Sequence, residues 1–315
     1  MDRADLVGAC DLDRVKAQAT GLPAFDDLGA MLRAVRPDLL DIILPPEAHA
    51  DAIETAIAHR VKTVICQKPF CQTLAEAERL TQQAEQAGIT LIVHESFRFP
   101  PWYRALKRAL DEGRIGQVLQ ITFRLRPGDG QGPDAYLDRQ PYFQTMARFL
   151  VHETAVHWLD TFRYLCGDAE DIYADLRRIN PVIAGEDAGV ILSTHAHGVK
   201  TLFDGNRCLD HSADNLRRAM GEAWAEGTDG TIRLTGDGAL WCRAFGTQDE
   251  ACLLAPDPWT GFGGDCVHAR QSHVVAGALD GSTLENTARD YLRVLAAEAA
   301  VYRSAETGRR VKLLH

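Results

Sequence analysis

The architecture of this chain follows from one run of residues, Val61-Lys62-Thr63-Val64-Ile65-Cys66-Gln67-Lys68-Pro69. The apolar and β-branched residues at its start predict a buried strand, and the proline ends that strand because it has no N–H for a neighbouring strand. Lys68 is therefore placed at the carboxyl end of the strand, where parallel α/β sheets bind their ligands. An exposed lysine at a strand end would give the same short pattern, so the rest of the chain has to separate the two interpretations.

Residues 1–115 alternate short apolar runs with helical patterns. The apolar runs are residues 6–10, 39–44, 61–66 and 90–94. The helical patterns begin near Asp11, Glu47, Thr73 and Pro101. Strands that alternate with helices form parallel βαβ units, so we predict a Rossmann-like parallel sheet. Ligands bind beyond the carboxyl ends of such strands, and one crevice is therefore expected to be lined by Asp11, Pro45, Lys68 and Glu95.

The pattern changes after residue 115. Apolar and polar side chains alternate over residues 119–126, which indicates a strand with one solvated face. Further strands are expected at residues 172–176, 190–194, 199–203, 231–234 and 239–242, and helices at residues 149–166 and 287–302. The predicted fold class is therefore α/β followed by α+β. Residues 1–115 would form the Rossmann-like domain and residues 116–315 a mainly antiparallel domain for substrate binding and oligomerisation.

Composition argues against several classes of function. Acidic residues outnumber basic residues, 44 to 34, and the net charge of -10 disfavours binding to nucleic acid or to anionic membranes. The eight cysteines are scattered and form no Cys-x-x-Cys pair, which predicts a reducing, cytoplasmic location. The first residues lack the regions of a signal peptide, and no apolar run approaches the length of a membrane span.

Asp11 ends the first predicted strand, where dinucleotide-binding folds carry the acid that contacts the adenosine ribose hydroxyls. A carboxylate there repels a 2'-phosphate, so NAD is expected rather than NADP. Asp11 would also serve as the N-cap of the next helix. In such folds a glycine fingerprint that binds the pyrophosphate lies about 20 residues before this acid. The start of this sequence contains no such fingerprint, so we expect the first strand of the fold to be missing.

The sequence resembles the Gfo/Idh/MocA family of oxidoreductases over nearly its whole length. The Glu-Lys-Pro signature of the family corresponds to Gln67-Lys68-Pro69, and its Asp-x-x-x-His signature to Glu153-Thr154-Ala155-Val156-His157. Each signature departs by one acid or amide change. Similar segments occur at residues 73–78, 95–99, 113–116 and 302–308. The resemblance implies that a first strand and a glycine loop precede Met1, so a misassigned start or a truncated chain explains their absence better than a new fold.

Lys68 and His157 are the predicted catalytic residues. Glu153 and His157 are four residues apart on one helical face, so the carboxylate can orient the imidazole. His157 would then be the general base in the oxidation of a secondary alcohol or sugar hydroxyl. Lys68 would hydrogen-bond the same oxygen and stabilise its developing negative charge. The resemblance implies the same roles, although a buried histidine with a satisfied hydrogen bond would also explain His157.

The remaining binding residues are predicted from the strand ends and from the resemblance. The cofactor is expected to contact Asp11, Leu44, Pro45, Gln67, Lys68, Glu95 and Arg98. The substrate is expected to contact residues of the second domain, namely Tyr142, Arg148 and Asn206. Asp187 and Arg207 are further candidates for substrate binding.

A metal site is not predicted. His152 and His157 are five residues apart, whereas the H-E-x-x-H motif needs histidines four apart on one helical face. His195 and His197 can share one strand face with His211 not far along the chain, which makes a metal site conceivable. No second ligand cluster accompanies them, so metal-dependent hydrolysis is the weakest interpretation.

The sequence therefore predicts an NAD-dependent dehydrogenase that moves a hydride between a sugar or polyol hydroxyl and nicotinamide. Residues 95–102 and 160–164 resemble a subgroup that acts on aldoses, such as the branched pentose apiose. The alternative is a non-catalytic sugar- or nucleotide-binding relative, which the missing glycine loop favours and the retained Lys68, Glu153 and His157 disfavour. The resemblance also implies a homodimer or homotetramer, because open-faced sheets in this family commonly pair between subunits.

Overall fold

The structure, a computed structural model, describes residues 3–313. The chain divides into two compact units: Met1–Glu95 with Gln271–Arg293, and Ser96–Arg270 with Val294–His315. This division at residue 95 differs from the predicted domain boundary at residue 115. Residues 271–293 also belong to the first unit, so a division of the chain at one position does not describe the two units.

The first unit contains two parallel sheets. One pairs β1 with β2, and the other has the strand order β3, β4, β5. The strands are β1 (Ala9–Cys10), β2 (Ala24–Phe25), β3 (Leu39–Ile42), β4 (Thr63–Gln67) and β5 (Thr90–His94). The helices are α1 (Arg14–Ala19), α2 (Leu28–Val35), α3 (His49–Ala58) and α4 (Leu74–Gln86). The four predicted parallel strands are confirmed, although β1 is shorter than expected. The sequence patterns missed β2 and α2 because a two-residue strand has no periodicity to detect.

Side chains fix where two of the helices begin. Asp13 is the N-cap of α1, and its carboxylate accepts a hydrogen bond from Val15 N at 3.0 Å. Thr73 is the N-cap of α4 and accepts from Glu76 N at 3.2 Å. These bonds satisfy N–H groups that have no partner within the helix. The interpretation of Asp11 as a helix N-cap was wrong, because the helix begins two residues later.

A hydrophobic cluster explains why the late segment joins the first unit. Ile65 of β4 and Ile92 of β5 are fully buried and pack with Val274, and Leu284 packs against the same cluster. Thr287 also forms an isolated antiparallel bridge with Ile92. These contacts join residues that are far apart in sequence, so a local periodicity could not reveal them.

The second unit is built on one nine-stranded sheet. Its strand order is β13, β12, β11, β10, β6, β9, β8, β7, β14, and only β6 and β9 run parallel among these described neighbours. The strands are β6 (Val118–Leu125), β7 (Ala169–Arg177), β8 (Ala188–His195), β9 (Lys200–Asn206), β10 (Gly221–Gly227), β11 (Gly230–Leu234), β12 (Leu240–Ala244), β13 (Glu250–Leu254) and β14 (Val311–Lys312). The mainly antiparallel sheet is confirmed, and β10, β13 and β14 are additions to it.

Two helices of the second unit lie against this sheet and against each other. They are α5 (Pro101–Asp111) and α6 (Val156–Cys166). Trp158 of α6 donates from Nε1 to the hydroxyl of Tyr103 on α5 at 3.0 Å and stacks on Phe123 of β6, with ring centroids 4.4 Å apart. These contacts place α5 in the second unit, which is why the boundary falls before it.

One other predicted helix departs from the pattern at its start, one helix was not predicted, and the helix predicted over residues 287–302 is confirmed. The helix expected over residues 149–166 has a π-helical start, Leu150–Ala155, before α6 begins. The last two helices, α7 (Phe262–Asp280) and α8 (Ala288–Thr307), extend from one unit into the other. Across residues 3–313, every helix is too short or too polar to cross a bilayer.

Candidate active site

The carboxyl ends of β4 and β5 bring three predicted cofactor-binding residues to one sheet edge. Gln67 pairs with His94 in the sheet, and its Nε2 donates to Nδ1 of His94 at 2.5 Å. Lys68 and Glu95 directly follow these two residues. Glu95 is fully buried and accepts a hydrogen bond from the hydroxyl of Tyr291 at 3.3 Å, whereas Lys68 is half-buried. The structure therefore groups Gln67, Lys68 and Glu95, and their contacts with a cofactor remain predictions.

His49, which sequence reasoning missed, contacts two of the loops that are predicted to bind the cofactor. Its buried imidazole places Nε2 2.8 Å from the carbonyl oxygen of Leu44 and Nδ1 3.0 Å from that of Pro69. Leu44 and Pro45 belong to the loop after β3, and Pro69 to the loop after β4. A histidine at the start of a helix, four residues after a proline, was the only local signal for this role.

Asp11 lies directly after β1 with part of its carboxylate available. Oδ1 accepts a hydrogen bond from Asp13 N at 2.8 Å, and Oδ2 has no hydrogen-bond partner within residues 3–313. Burial, followed by the carboxylates of Asp27, Asp26 and Asp11, raises the pKa of the Cys10 thiol. Three acidic groups therefore surround the end of β1. A ribose diol can donate to Asp11 there, whereas a 2'-phosphate would be repelled, so NAD fits this edge.

His157 is held in a fixed orientation near the start of α6. Its buried ring stacks on Phe97, with centroids 3.9 Å apart and planes 8° apart. The hydroxyl of Thr161 lies 2.9 Å from the carbonyl oxygen of His157 and 3.2 Å from that of Phe97, so it fastens both backbones. Glu153 lies in the π-helical turn just before α6, and such turns are frequent at functional sites.

A buried ion pair holds Phe97 in this position. Arg98 donates to Asp160 through Nε at 2.8 Å and through Nη2 at 2.5 Å. The side chains of Arg98 and Asp160 are 8% and 0% exposed, and Arg163 lies 3.7 Å from the same carboxylate. Two donors of Arg98 are therefore committed to positioning. The predicted cofactor contact of Arg98 remains a prediction, and Asp160 was not assigned this positioning role from the sequence.

The three predicted substrate-binding residues occupy different surroundings. Burial, followed by the carboxylate of Glu153, raises the pKa of Tyr142, which places this half-exposed phenol near the predicted catalytic segment. The guanidinium of Arg148 lies over the ring of Tyr302, 4.3 Å from its centroid. Asn206 accepts a backbone N–H at 3.0 Å in the turn after β9. Their substrate contacts stay predictions, and Tyr142 has the surroundings that support its role most directly.

The two further candidates, Asp187 and Arg207, make buried structural contacts. Asp187 accepts from two backbone N–H groups, including that of Asn180 at 2.8 Å, and so fixes a turn. Arg207 donates to Thr154 at 2.5 Å and to Asp129 at 2.7 Å and 3.2 Å. Thr154 lies in the π-helical turn next to Glu153, so Arg207 anchors the segment that carries this predicted catalytic residue.

The structure gives the metal interpretation no support. Nδ1 of His195 lies 2.8 Å from the carbonyl oxygen of Gly167, and Nε2 lies 2.9 Å from the hydroxyl of Thr201. Burial lowers the pKa of His195 and so favours the neutral ring, which is compatible with donation from Nδ1 to Gly167 and acceptance by Nε2 from Thr201. Within residues 3–313, no group of three or more histidine, cysteine or acidic side chains is placed to hold a metal ion.

Comparison with known proteins assigns the family. A model described as an oxidoreductase family with an NAD-binding Rossmann fold matches residues 1–95, and the GFO/IDH/MocA C-terminal domain model matches residues 103–233. A D-apiose dehydrogenase from Paraburkholderia graminis is 34% identical over 325 residues, which cover 99% of this chain and 84% of that protein. This chain belongs to the Gfo/Idh/MocA family of oxidoreductases. The predicted resemblance is confirmed.

Two other proteins are similar to this Gfo/Idh/MocA oxidoreductase over most of its length. A D-apiose dehydrogenase from Rhizobium rhizogenes is 29% identical and covers 98% of this chain and 90% of its own. The crystal structure of an oxidoreductase from Agrobacterium radiobacter, in complex with NAD+, L-tartaric acid and magnesium, has a TM-score of 0.86 at 28% identity. That match covers 97% of this chain and 90% of the other. NAD is the cofactor of this Gfo/Idh/MocA protein.

The Arg98–Asp160 pair can be tested by a double-mutant cycle. Asp160→Leu or Arg98→Met alone leaves one buried charge uncompensated, so each is expected to lower the free energy of unfolding by about 3 to 5 kcal/mol. The double variant should lose less than the sum of the two single losses, because neither charge then remains. Urea denaturation measures all four proteins. Simple additivity of the single losses would show that the pair is not coupled.

Proposed function

We propose that this oxidoreductase moves a hydride between a hydroxyl-bearing carbon of a sugar or polyol and the nicotinamide of NAD. The observation that carries the proposal is the oriented imidazole of His157, stacked on Phe97 beside the segment that bears Glu153. Two relatives named D-apiose dehydrogenase, at 34% and 29% identity, support an aldose of the branched-pentose type as the first substrate to test. No observation favours the non-catalytic alternative.

His157 is the proposed general base. Removal of the hydroxyl proton must accompany loss of the hydride, and a histidine can accept that proton near neutral pH. The stacking on Phe97 and the backbone contact to Thr161 restrict the ring to one plane, so the base needs little reorganisation before it reacts. Glu153 is the proposed orienting carboxylate on the preceding turn. Tyr142, near Glu153, is proposed to contact the substrate, together with Arg148 and Asn206.

Lys68 is the proposed electrostatic partner of the reacting oxygen. An ammonium group that donates to this oxygen stabilises the negative charge that develops as the proton leaves. His49 supports this role because its imidazole contacts the carbonyl oxygen of Pro69, the residue after Lys68. Bound NAD supplies the hydride acceptor. Residues proposed to hold it are Asp11, Leu44, Pro45, Gln67, Lys68, Glu95 and Arg98.

Substitution of the two proposed catalytic residues tests this function. His157→Ala should lower kcat/KM for an aldose by about 100- to 10,000-fold, because the proton acceptor is lost. Lys68→Met should lower it by about 100- to 1,000-fold, because the alkoxide loses its donor. NADH absorbance reports turnover, and calorimetric titration with NAD shows whether the cofactor still binds.

Matched controls come from exposed residues of the same types. Lys62, just before β4, is 80% exposed at its side chain, and His268 on α7 is exposed. Lys62→Met and His268→Ala should therefore retain wild-type turnover. Near-normal turnover by His157→Ala would exclude it as the general base. If the wild-type protein fails to reduce NAD with every sugar and polyol tested, the proposed activity is refuted.

We propose that one face of the nine-stranded sheet forms a homo-oligomer interface. Residues paired across neighbouring strands place five large apolar side chains along this face, with Arg233 between the first two and Thr122 between the second and the third. Each of the five is half-buried or exposed: Trp241, Trp224, Leu202, Leu192 and Tyr173. Exposed apolar surface favours association. The expected product is a homodimer or homotetramer.

Light scattering after size-exclusion chromatography tests the interface. Trp224→Arg places a charge among these apolar side chains, so the variant should elute with a smaller mass than the wild type. Leu279→Arg is the control, because Leu279 belongs to α7 rather than to the nine-stranded sheet and is 59% exposed. A wild-type monomer, or an unchanged mass for Trp224→Arg, would contradict the proposed interface.

We propose a cytoplasmic location for the protein. All eight cysteines are free thiols in the structure, which suits a reducing compartment. Labelling of protein trapped directly from its cells should find eight reduced thiols in the cytoplasmic fraction. Recovery from an oxidising compartment with a disulfide would contradict this location.

A further inference from the structure

Two chains of contacts lead away from the segment that carries His157, and neither has been assigned a role. The first chain is aromatic. The ring of Phe97 stacks on His157 and meets the ring of Phe262 edge-on, with centroids 5.9 Å apart. The guanidinium of Arg217 lies over Phe262, 5.6 Å from the ring centroid. Phe97 and Phe262 also line a small crevice together with Arg218.

The second chain is polar and starts three residues before His157. Thr154 accepts a hydrogen bond from the buried guanidinium of Arg207. Arg207 donates in turn to both carboxylate oxygens of Asp129, and Arg139 also donates to Asp129 at 3.4 Å. Asp129 therefore serves two guanidinium groups, of which the buried one makes the shorter contacts.

Arg217 contacts the end of the aromatic chain of contacts and lies within electrostatic range of the polar one. Its guanidinium lies over the Phe262 ring and has no hydrogen bond or ion pair within residues 3–313. Burial, followed by the guanidinium of Arg139, lowers the pKa of Arg217, and Arg207 acts in the same direction while Asp129 opposes it. Arg217 thus lies close to two other cations that share one carboxylate. Its donors are available to a ligand, and the guanidinium fork is suited to oxygen acceptors.

The first residues of α7 have an unusual backbone conformation that fixes the position of Phe262. Gly263, Gly264 and Asp265 follow it with φ values of 56°, 66° and 62°, all in the left-handed region. Glycine adopts this conformation at little steric cost, whereas Asp265 has a Cβ atom and is strained there. A Cβ at Gly264 would lie 2.7 Å from Pro101, so the close approach requires glycine there. Strained backbone of this kind persists where the surrounding structure enforces it, which is common at ligand sites. The ring it places is 41% exposed.

We propose that Arg217 and Phe262 are specificity-determining residues of the sugar site. The inference rests on the proposed function. The fork of Arg217 donates to hydroxyl oxygens of the sugar, and the exposed part of the Phe262 ring contacts the apolar C–H face of the same ligand. The two residues bind substrate in both ground and transition states, so they set which aldose is accepted rather than how fast the bound sugar reacts.

Steady-state kinetics with the best aldose and its monodeoxy analogues test this assignment. Arg217→Met should raise KM about tenfold or more while kcat stays within about twofold, because a charged hydrogen bond to substrate is lost. For the wild type, kcat/KM should be about 10- to 100-fold lower with the analogue that lacks the bound hydroxyl than with the parent sugar. For Arg217→Met, kcat/KM should be nearly the same with these two sugars, because the hydrogen bond to that hydroxyl is already absent. Arg217→Lys should recover part of the affinity. Phe262→Leu should raise KM for the parent sugar, and it should still discriminate against the deoxy analogue as the wild type does.

The controls are Arg303→Met and Phe245→Leu, which remove an exposed arginine on α8 and a phenylalanine that is 78% exposed. Both should keep the wild-type KM, and equal melting temperatures confirm that the variants fold. An active wild type, combined with an unchanged KM and unchanged hydroxyl discrimination in Arg217→Met, would overturn this assignment alone. A wild type that turns over no sugar would overturn the proposed function, and this inference with it.

Discussion

The buried ion pair between Arg98 and Asp160 is the constraint on which the site in the second unit depends. Removal of two charges from water is costly, and the attraction between them offsets that cost only when the geometry is good. The bidentate contact meets this condition. What the pair provides is position rather than net stability: it fixes the residue next to Arg98, and the Phe97 ring then sets the plane of the His157 imidazole. A base must first be correctly placed before its proton affinity matters.

The π-helical turn at Leu150–Ala155 shapes the same region in a different way. In an α-helix, residues four apart are offset by about 40° around the axis. Hydrogen bonds from i to i+5 change that offset, so the relation between Glu153 and His157 is not that of a regular helix. The same turn presents Thr154 to the buried guanidinium of Arg207. Of these two neighbouring residues, Thr154 anchors the backbone of the turn, and Glu153 is the proposed orienting carboxylate.

The sequence predicted the parts of this protein that depend on local pattern. The predicted ends of two strands identified Gln67, Lys68 and Glu95 as neighbours. The structure places them together because parallel strands β4 and β5 end at one edge of the sheet. The positioning residues could not be found in this way. His49 acts through two carbonyl oxygens of separate loops, and Asp160 through an arginine 62 residues away. The division into two compact units likewise depends on packing, since Val274 joins the first unit through its contacts with Ile65 and Ile92.

The imidazole of His49 has a consequence for how substitutions in the first unit combine. One side chain contacts the loop after β3 at Leu44 and the loop after β4 at Pro69. A substitution that shifts one loop either lengthens its contact with the ring or moves the ring away from the other loop. A buried ring nitrogen left without a partner is costly. The two loops are therefore energetically coupled through one ring, and the effects of substitutions in them are not expected to add.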